Sequence, residues 1–320
     1  GLESICLTNS QLSDLSAYYV KLLRSIQGLP TRTSTAAVHL LLGAVPIEGL
    51  IHLKVLSLFG IICRGANNDL KELAIIRSTG PADSDSWFVK LSLILIKYSL
   101  PDVLSNLEDP PSKEGWKQRC KTAVCQYWLH QLKTQAAQQS SLKMINLSSV
   151  CPGIPHHIWN TELNTKDVTR ATIKSRIATG TYPVNTSLYK FRVLSNPNCE
   201  TCDDETPETV YHLLLGCDAY TEVRNSIMLQ LMVIEKKCIS SPLEKLLLQF
   251  IIDPTVMSSA ISSQDLQMAE SLSRSLVYSI HCRCDHLQNW KSRKKKGRTC
   301  VKSTTLNREV LEPTLGISNW

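Results

Sequence analysis

The string Cys199-x2-Cys202-x9-His212-x4-Cys217 constrains this chain most, because three thiols and one imidazole at those spacings let a short loop close around one tetrahedral ion. Zinc takes four such ligands with Zn–S near ~2.3 Å, and a structural site uses all four positions, so nothing reacts there. The surroundings suit a knuckle. Asn196-Pro197-Asn198 leads into Cys199, Asp203-Asp204-Glu205 fills the loop, and the apolar run at 210–215 carries His212 toward Cys217. The competing reading is four unrelated residues in a chain with 12 cysteines. The sequence predicts one structural zinc ion on Cys199, Cys202, His212 and Cys217, a motif typical of nucleic-acid binders before it is typical of enzymes.

With 320 residues and 43% hydrophobic content the chain can fill cores of ordinary size, which excludes disorder throughout. Its cysteines are dispersed and no signal peptide precedes them, which points to a reducing compartment rather than a secreted disulfide scaffold. The longest apolar stretches, 50–63 and 91–100, are interrupted by Lys54 and Lys97 and fall short of the ~20 residues of a membrane crossing, so a soluble chain with no membrane partner is expected. No methionine precedes Met144, which suggests a piece of something longer.

The formal charge is +7, and its location matters more than its size. Lys291, Arg293, Lys294, Lys295, Lys296, Arg298 and Lys302 put seven positive charges into residues 291–302 without one acid. Such a run contacts phosphate backbones or serves as a nuclear-import signal; a solvated tail with no partner is the plainer alternative.

Apolar periodicity predicts helices over most of the chain. Leu12, Leu15, Tyr19, Leu22, Leu23 and Ile26 share one face before Gly28-Leu29-Pro30 stops it. Further helices are expected at about 35–42, from Pro46 to 63, at 69–77 and at 85–98, with His39 and His52 as packing or surface residues. A polar, proline-containing stretch at 106–111 reads as a boundary. Trp116, Cys120, Val124, Trp128 and Leu132 then mark another helical face, with Cys120 and Cys125 as buried thiols. His156 and His157 lie in a turn-rich stretch without a cysteine or carboxylate at ligand spacing.

On the helix expected at 165–179, Lys166, Arg170 and Lys174 form a line fit to track a phosphate backbone, although Ile173 and Ile177 fall on nearly the same side. Gly180 is its stop. Tyr182, Tyr189 and Phe191 alternate with Lys190 and Arg192, which suits base stacking beside backbone contacts; a short strand packing the knuckle would use the same residues. Helices at 222–235, 243–252 and 264–290 complete the pattern. A second zinc set, His281, Cys282, Cys284 and His286, cannot converge unless that last helix breaks.

These residues resemble the part of the polyprotein of non-LTR (LINE-like) retrotransposons that follows the reverse transcriptase palm. The segments Leu29-Pro30, Leu40-Leu41-Leu42-Gly43, Pro46-Ile47-Glu48 and His52 look like its helical thumb. Arg176, Thr179-Gly180-Thr181-Tyr182, the two Cys of the CxxC, Glu205 or Glu208 with Thr209, His212-Leu213-Leu214-Leu215 and Cys217 look like its zinc segment. The resemblance covers most of residues 10–220 and implies a thumb-like helical domain at 1–105 and a CCHC zinc segment at 193–222; the periodicity and charge pattern add a helical linker at 106–192, C-terminal helices at 223–290 and a disordered basic tail at 291–320. The fold class expected is mainly α.

The family polymerase needs a Tyr-x-Asp-Asp motif to hold its metals, and none of the nine tyrosines here is followed by that pair. Asp253-Pro254 is the only echo of the nuclease that some relatives carry. The resemblance therefore implies a non-catalytic fragment that holds RNA or DNA during target-primed reverse transcription. Its expected contacts are Lys166, Arg170, Lys174, Arg176, Tyr182, Lys190, Arg192 and the tail cations. Its expected partners are nucleic acid and the rest of the polyprotein, in a nuclear and cytoplasmic ribonucleoprotein rather than a secreted form. The alternative is a domesticated, zinc-stabilised protein-interaction module.

Overall fold

Side-chain caps set many of the helix starts, and left-handed residues close several of the ends. In the computed structural model, which describes residues 1–79, 81, 86–160, 164–202, 205–236 and 244–284, this punctuation yields twelve α-helices and no strand among the described residues. They are α1 (Asn9–Ile26), α2 (Thr35–Leu42), α3 (Ile47–Arg64), α4 (Asn68–Ser78), α5 (Trp87–Lys97), α6 (Val103–Glu108), α7 (Lys113–Ala137), α8 (Thr165–Ala178), α9 (Asn185–Lys190), α10 (Thr221–Lys236), α11 (Glu244–Ile252) and α12 (Ser263–Arg283). Thr8 and Gln11 form a reciprocal capping box on α1, and Ser34, Asn67, Asp102, Ser112, Asn164 and Ser262 each accept an amide of the helix they precede. Each such cap satisfies a donor that the helix itself cannot.

Two cores result. The first joins α3 to α5 and the first half of α7, around Leu56, Phe59, Leu91, Leu95 and Val124. Here two glycines of α3 admit two tryptophans of α7. A Cβ at Gly60 would lie 2.4 Å from the Trp116 ring, and one at Gly49 would lie 2.5 Å from that of Trp128. Trp116 uses this closeness to donate its indole N–H to the Leu56 carbonyl at 2.7 Å. The second core collects α2, the end of α7, α8 and α10 to α12, around Leu41, Ile158, Ala171, Phe250, Leu276 and Ile280, and it includes Cys199 and Cys217.

The division between these cores differs from the expected boundary at 106. α7 gives Trp116, Cys120 and Val124 to one core and Leu132 and Ala136 to the other, and α2 sits with the C-terminal helices. The 106–111 stretch instead contains the end of α6, capped by Asp102. His39 and His52 pack as expected: their Nδ1 atoms lie 2.9 Å from the Ala44 carbonyl and 2.7 Å from the Tyr98 hydroxyl. Burial draws both imidazoles down to about 4.

Candidate metal centre and adjoining surface

The knuckle is built from two short pieces of backbone held against each other. Asn198 and Pro207 form an isolated antiparallel bridge, with Cys199 N–H donating to Thr206 O and Glu208 N–H to Pro197 O, both at 2.9 Å. This brings the CxxC turn over the segment that carries the other two ligands. His212–Gly216 is a single π-helical turn, closed by Cys217 N–H on His212 O at 2.7 Å. The wide turn fits an x4 spacing: it sets His212 and Cys217 on the same side.

The four donor atoms lie within 4.8 Å of one another. Cys199 and Cys217 sulfurs are 3.9 Å apart, and Cys202 Sγ is 3.3 Å from His212 Nε2. A tetrahedral ion bound at ~2.3 Å to sulfur and ~2.0 Å to nitrogen requires edges of about 3.8 and 3.5 Å. The set therefore fits a metal ion, and among the described residues it is the one Cys/His/carboxylate cluster that does. Burial, followed by the neighbouring Cys199 and Cys202, pushes the Cys217 thiol up to about 12, a direction that a cation among the three sulfurs reverses.

The surrounding shell is ordered by polar contacts. Arg224 donates to the Cys217 carbonyl and, at 3.3 Å, to Thr221 Oγ1. Tyr220 is buried, with its hydroxyl 3.1 Å from Cys284 Sγ. Buried Glu208 accepts the Asn185 amide at 3.0 Å, while its own carbonyl takes Thr186 Oγ1 at 2.7 Å. Glu208 thus caps α9, and α9 is fastened to the knuckle rather than forming a strand beside it.

The remaining candidate residues separate sharply. Lys166 is exposed and Arg170 half-buried, 3.4 Å from Asp167. Lys174 corrects the expected cationic line: it is fully buried, 2.7 Å from Glu270, which also takes Arg274 at 3.2 Å. Burial draws its ammonium below the usual lysine range, with Glu270 opposing. An ammonium committed to a buried carboxylate cannot reach a phosphate. Ile173 and Ile177, on the same side, carry that face of α8 into the core.

Arg176 is also turned inward, donating Nε to Gly28 O at 2.9 Å. Tyr182 is buried, its hydroxyl 2.8 Å from His281 Nδ1, so its ring is not available for stacking. Lys190 and Arg192 are exposed, as are Tyr189 and Phe191. Lys291, Arg293, Lys294, Lys295, Lys296 and Arg298 lie outside the described residues.

The second zinc set is not assembled among the described residues: Cys284 is buried against Tyr220, Cys282 is exposed, His281 contacts Tyr182, and His286 lies outside them. His156 sits 3.3 Å from the buried Asp253 carboxylate, which also accepts Asn146 N–H at 2.6 Å and Thr255 Oγ1 at 2.6 Å. Burial raises Asp253, but these partners outweigh it and hold the carboxyl below its ordinary value. The Asp253-Pro254 echo of a nuclease is therefore a packed joint between the 146–156 segment and α11.

Sequence reading missed Arg32. It lies in the loop between α1 and α2, donates to Thr181 O at 2.9 Å and places its guanidinium 4.9 Å from the Phe191 ring centre. No local pattern links residue 32 to residue 191. Comparison of the chain with family models, curated proteins and solved structures finds no match.

Proposed function

We propose that this chain is a non-catalytic nucleic-acid-binding module whose knuckle is held by one structural zinc ion on Cys199, Cys202, His212 and Cys217. The observation that carries this reading is the placement of the exposed 189–193 segment, with Lys190 and Arg192, at the end of α9 and in its closing turn, a helix capped by Glu208 of the knuckle itself. Three thiolates and an imidazole are a donor set that zinc favours, and four protein ligands leave no position for substrate. The metal's contribution is then folding energy, and the chain's contribution is a cationic, aromatic surface. On this reading, and on the resemblance to the region after the palm of non-LTR retrotransposon reverse transcriptases, the module holds RNA or DNA during target-primed reverse transcription. The tail cations at 291–302 add phosphate contacts, and the rest of such a polyprotein is the protein partner, in a nuclear and cytoplasmic ribonucleoprotein.

The test is a salt series. The intact chain is expected to bind generic single-stranded RNA with log affinity falling linearly against log salt, and removal of 291–320 to flatten the slope by about 0.7 per lost phosphate contact. Binding that ignores salt would overturn the reading. A second reading, a zinc-stabilised protein-interaction module, is favoured by Ile61, Ile76 and Ile96, more than half exposed on α3, α4 and α5.

A further inference from the structure

The residues from Asn185 to Lys190 end in a turn of unusual composition. Val193 N–H bonds to Leu188 O at 2.9 Å and Arg192 N–H to Tyr189 O at 2.9 Å, the paired closure in which the penultimate residue is left-handed. α1 and α8 close the same way with Gly28 at φ +60° and Gly180 at φ +63°. α9 uses Arg192 at φ 56°. Ser99 is the other such non-glycine closure, at φ 53°. A left-handed arginine costs backbone energy that glycine would not, and such residues persist where the local geometry has a use.

That geometry displays Phe191. Phe191 is 58% exposed, between Tyr189 and Val193, which are also exposed. A phenylalanine in this state exposes apolar area for no gain in core packing. Arg32 lies over the ring with its guanidinium 4.9 Å from the centroid, and is itself anchored on the Thr181 carbonyl. That anchor is one half of a reciprocal clasp, because Arg176 donates back to Gly28 O from the other side. The clasp holds the α1–α2 loop against the 180–184 turn, so the arginine and the ring are positioned before any ligand arrives. From residue 182 to residue 198 the sequence contains no acid, while Lys190 and Arg192 flank the ring.

We infer that Phe191 and Arg32 form a stacking site for one unpaired nucleobase, with Arg192 and Lys190 on the adjoining phosphates. The ligand class is a single-stranded RNA or DNA segment, since a base within a duplex has its faces covered by its neighbours and cannot meet the ring. The inference rests on the nucleic-acid reading and specifies the form of nucleic acid it takes.

The experiment measures binding of the intact zinc-loaded chain to fluorescent 12-nucleotide single strands of RNA and of DNA, and to a duplex of the same length, with melting temperature followed in parallel. Phe191→Ala is expected to weaken single-strand binding about tenfold, within the usual range for one base–aromatic stack, without changing the salt slope or duplex affinity. Phe191→Trp should restore it, and Arg32→Ala should reproduce the loss. Arg192→Gly moves two readouts in opposite directions: the salt slope falls by about 0.7 while the melting temperature rises by about 1–2 °C as the left-handed turn is relieved. A tenfold loss on either RNA or DNA single strands supports the site. Unchanged single-strand affinity in Phe191→Ala overturns it while leaving the broader reading intact, as does an equal loss on duplex accompanied by a lower melting temperature. No binding of the intact chain to any of the three nucleic acids overturns both.

Discussion

α8 and the 185–193 segment are built from similar residues and end in opposite places. Both alternate cations with apolar side chains, yet α8 turns Lys174 and Arg176 inward onto Glu270 and Gly28 O, whereas the later segment leaves Lys190 and Arg192 in solvent. The difference lies in what accompanies the cations. On α8, Ile173 and Ile177 share the face and draw it into the core, and Glu270 and Ser273 on α12 receive the ammonium. The α9 helix is only six residues long and buries Asn185 and Leu188 alone, and 189–193 after them are exposed. A charge becomes a surface feature only when no apolar neighbour drags its face inside.

Removing the ligands of the knuckle gives the largest effect expected and separates the two regions. Cys202→Ser should release the metal and unfold 193–217 locally, since structural zinc supplies ~10–16 kcal/mol in sites of this kind. Metal analysis should fall from one ion per chain to none, while hydrogen exchange of α8 stays slow; retention of the ion would break the ligand assignment.

Next comes Lys174→Ala, which leaves Glu270 with Arg274 alone in a buried setting and is expected to cost about 3–5 kcal/mol. Chemical denaturation reads the loss. The slope of affinity against salt should not move, because this lysine meets no phosphate. A flattened slope with unchanged stability would return Lys174 to the surface and erase the contrast.

The inward side also carries a pH signature. His39 has a folded value of about 4 against 6.5 unfolded, so the unfolded state takes up the proton first as pH falls. Its stabilising effect is complete above pH 6.5 and is lost progressively toward pH 4, on the order of 2 kcal/mol by pH 5. His39→Asn, compared with the parent between pH 7 and 5, should show a shallower decline.

Lys190→Ala is the smallest change in stability, within ~0.5 kcal/mol, and lowers the salt slope by about 0.7 for single strands. A slope equal to that of the intact chain would leave α9 as cladding for the knuckle.

The helical elements were legible because each has a cap or stop that acts locally. α1 to α5, α7, α8, α10 and α11 fall close to the expected spans, and Gly180 closes α8 as its position suggested, whereas α12 ends at Arg283, with Cys284 already extended, short of the expected 290. The ligand set was legible for the same reason, since its spacing is a local property. What sequence reading did not provide was pairing over distance. The side chain that receives Lys174 is on α12, the one that covers Phe191 precedes α2, and the partner of Asp253 is His156. Tyr182 illustrates the cost: by alternation it resembled a stacking residue, and only His281 and the surrounding core show it to be internal. α6 and α9 went unread because six residues give too few turns for a period to register.

The 25-residue α7 has a bearing on how the molecule comes apart. Its first half is clamped by Gly60 and its second by the α2 side of the other core, so neither core can open without removing packing from the same rod. Amides at its centre should exchange only in whole-molecule unfolding, with one common opening free energy and one common denaturant dependence. A fragment cut at the 106–111 stretch strips the first core of Trp116 and Val124 and leaves α2 without the helices it rests on. Protease nicks there should be followed by rapid loss of both pieces, and useful truncations of this chain begin or end outside the reach of α7.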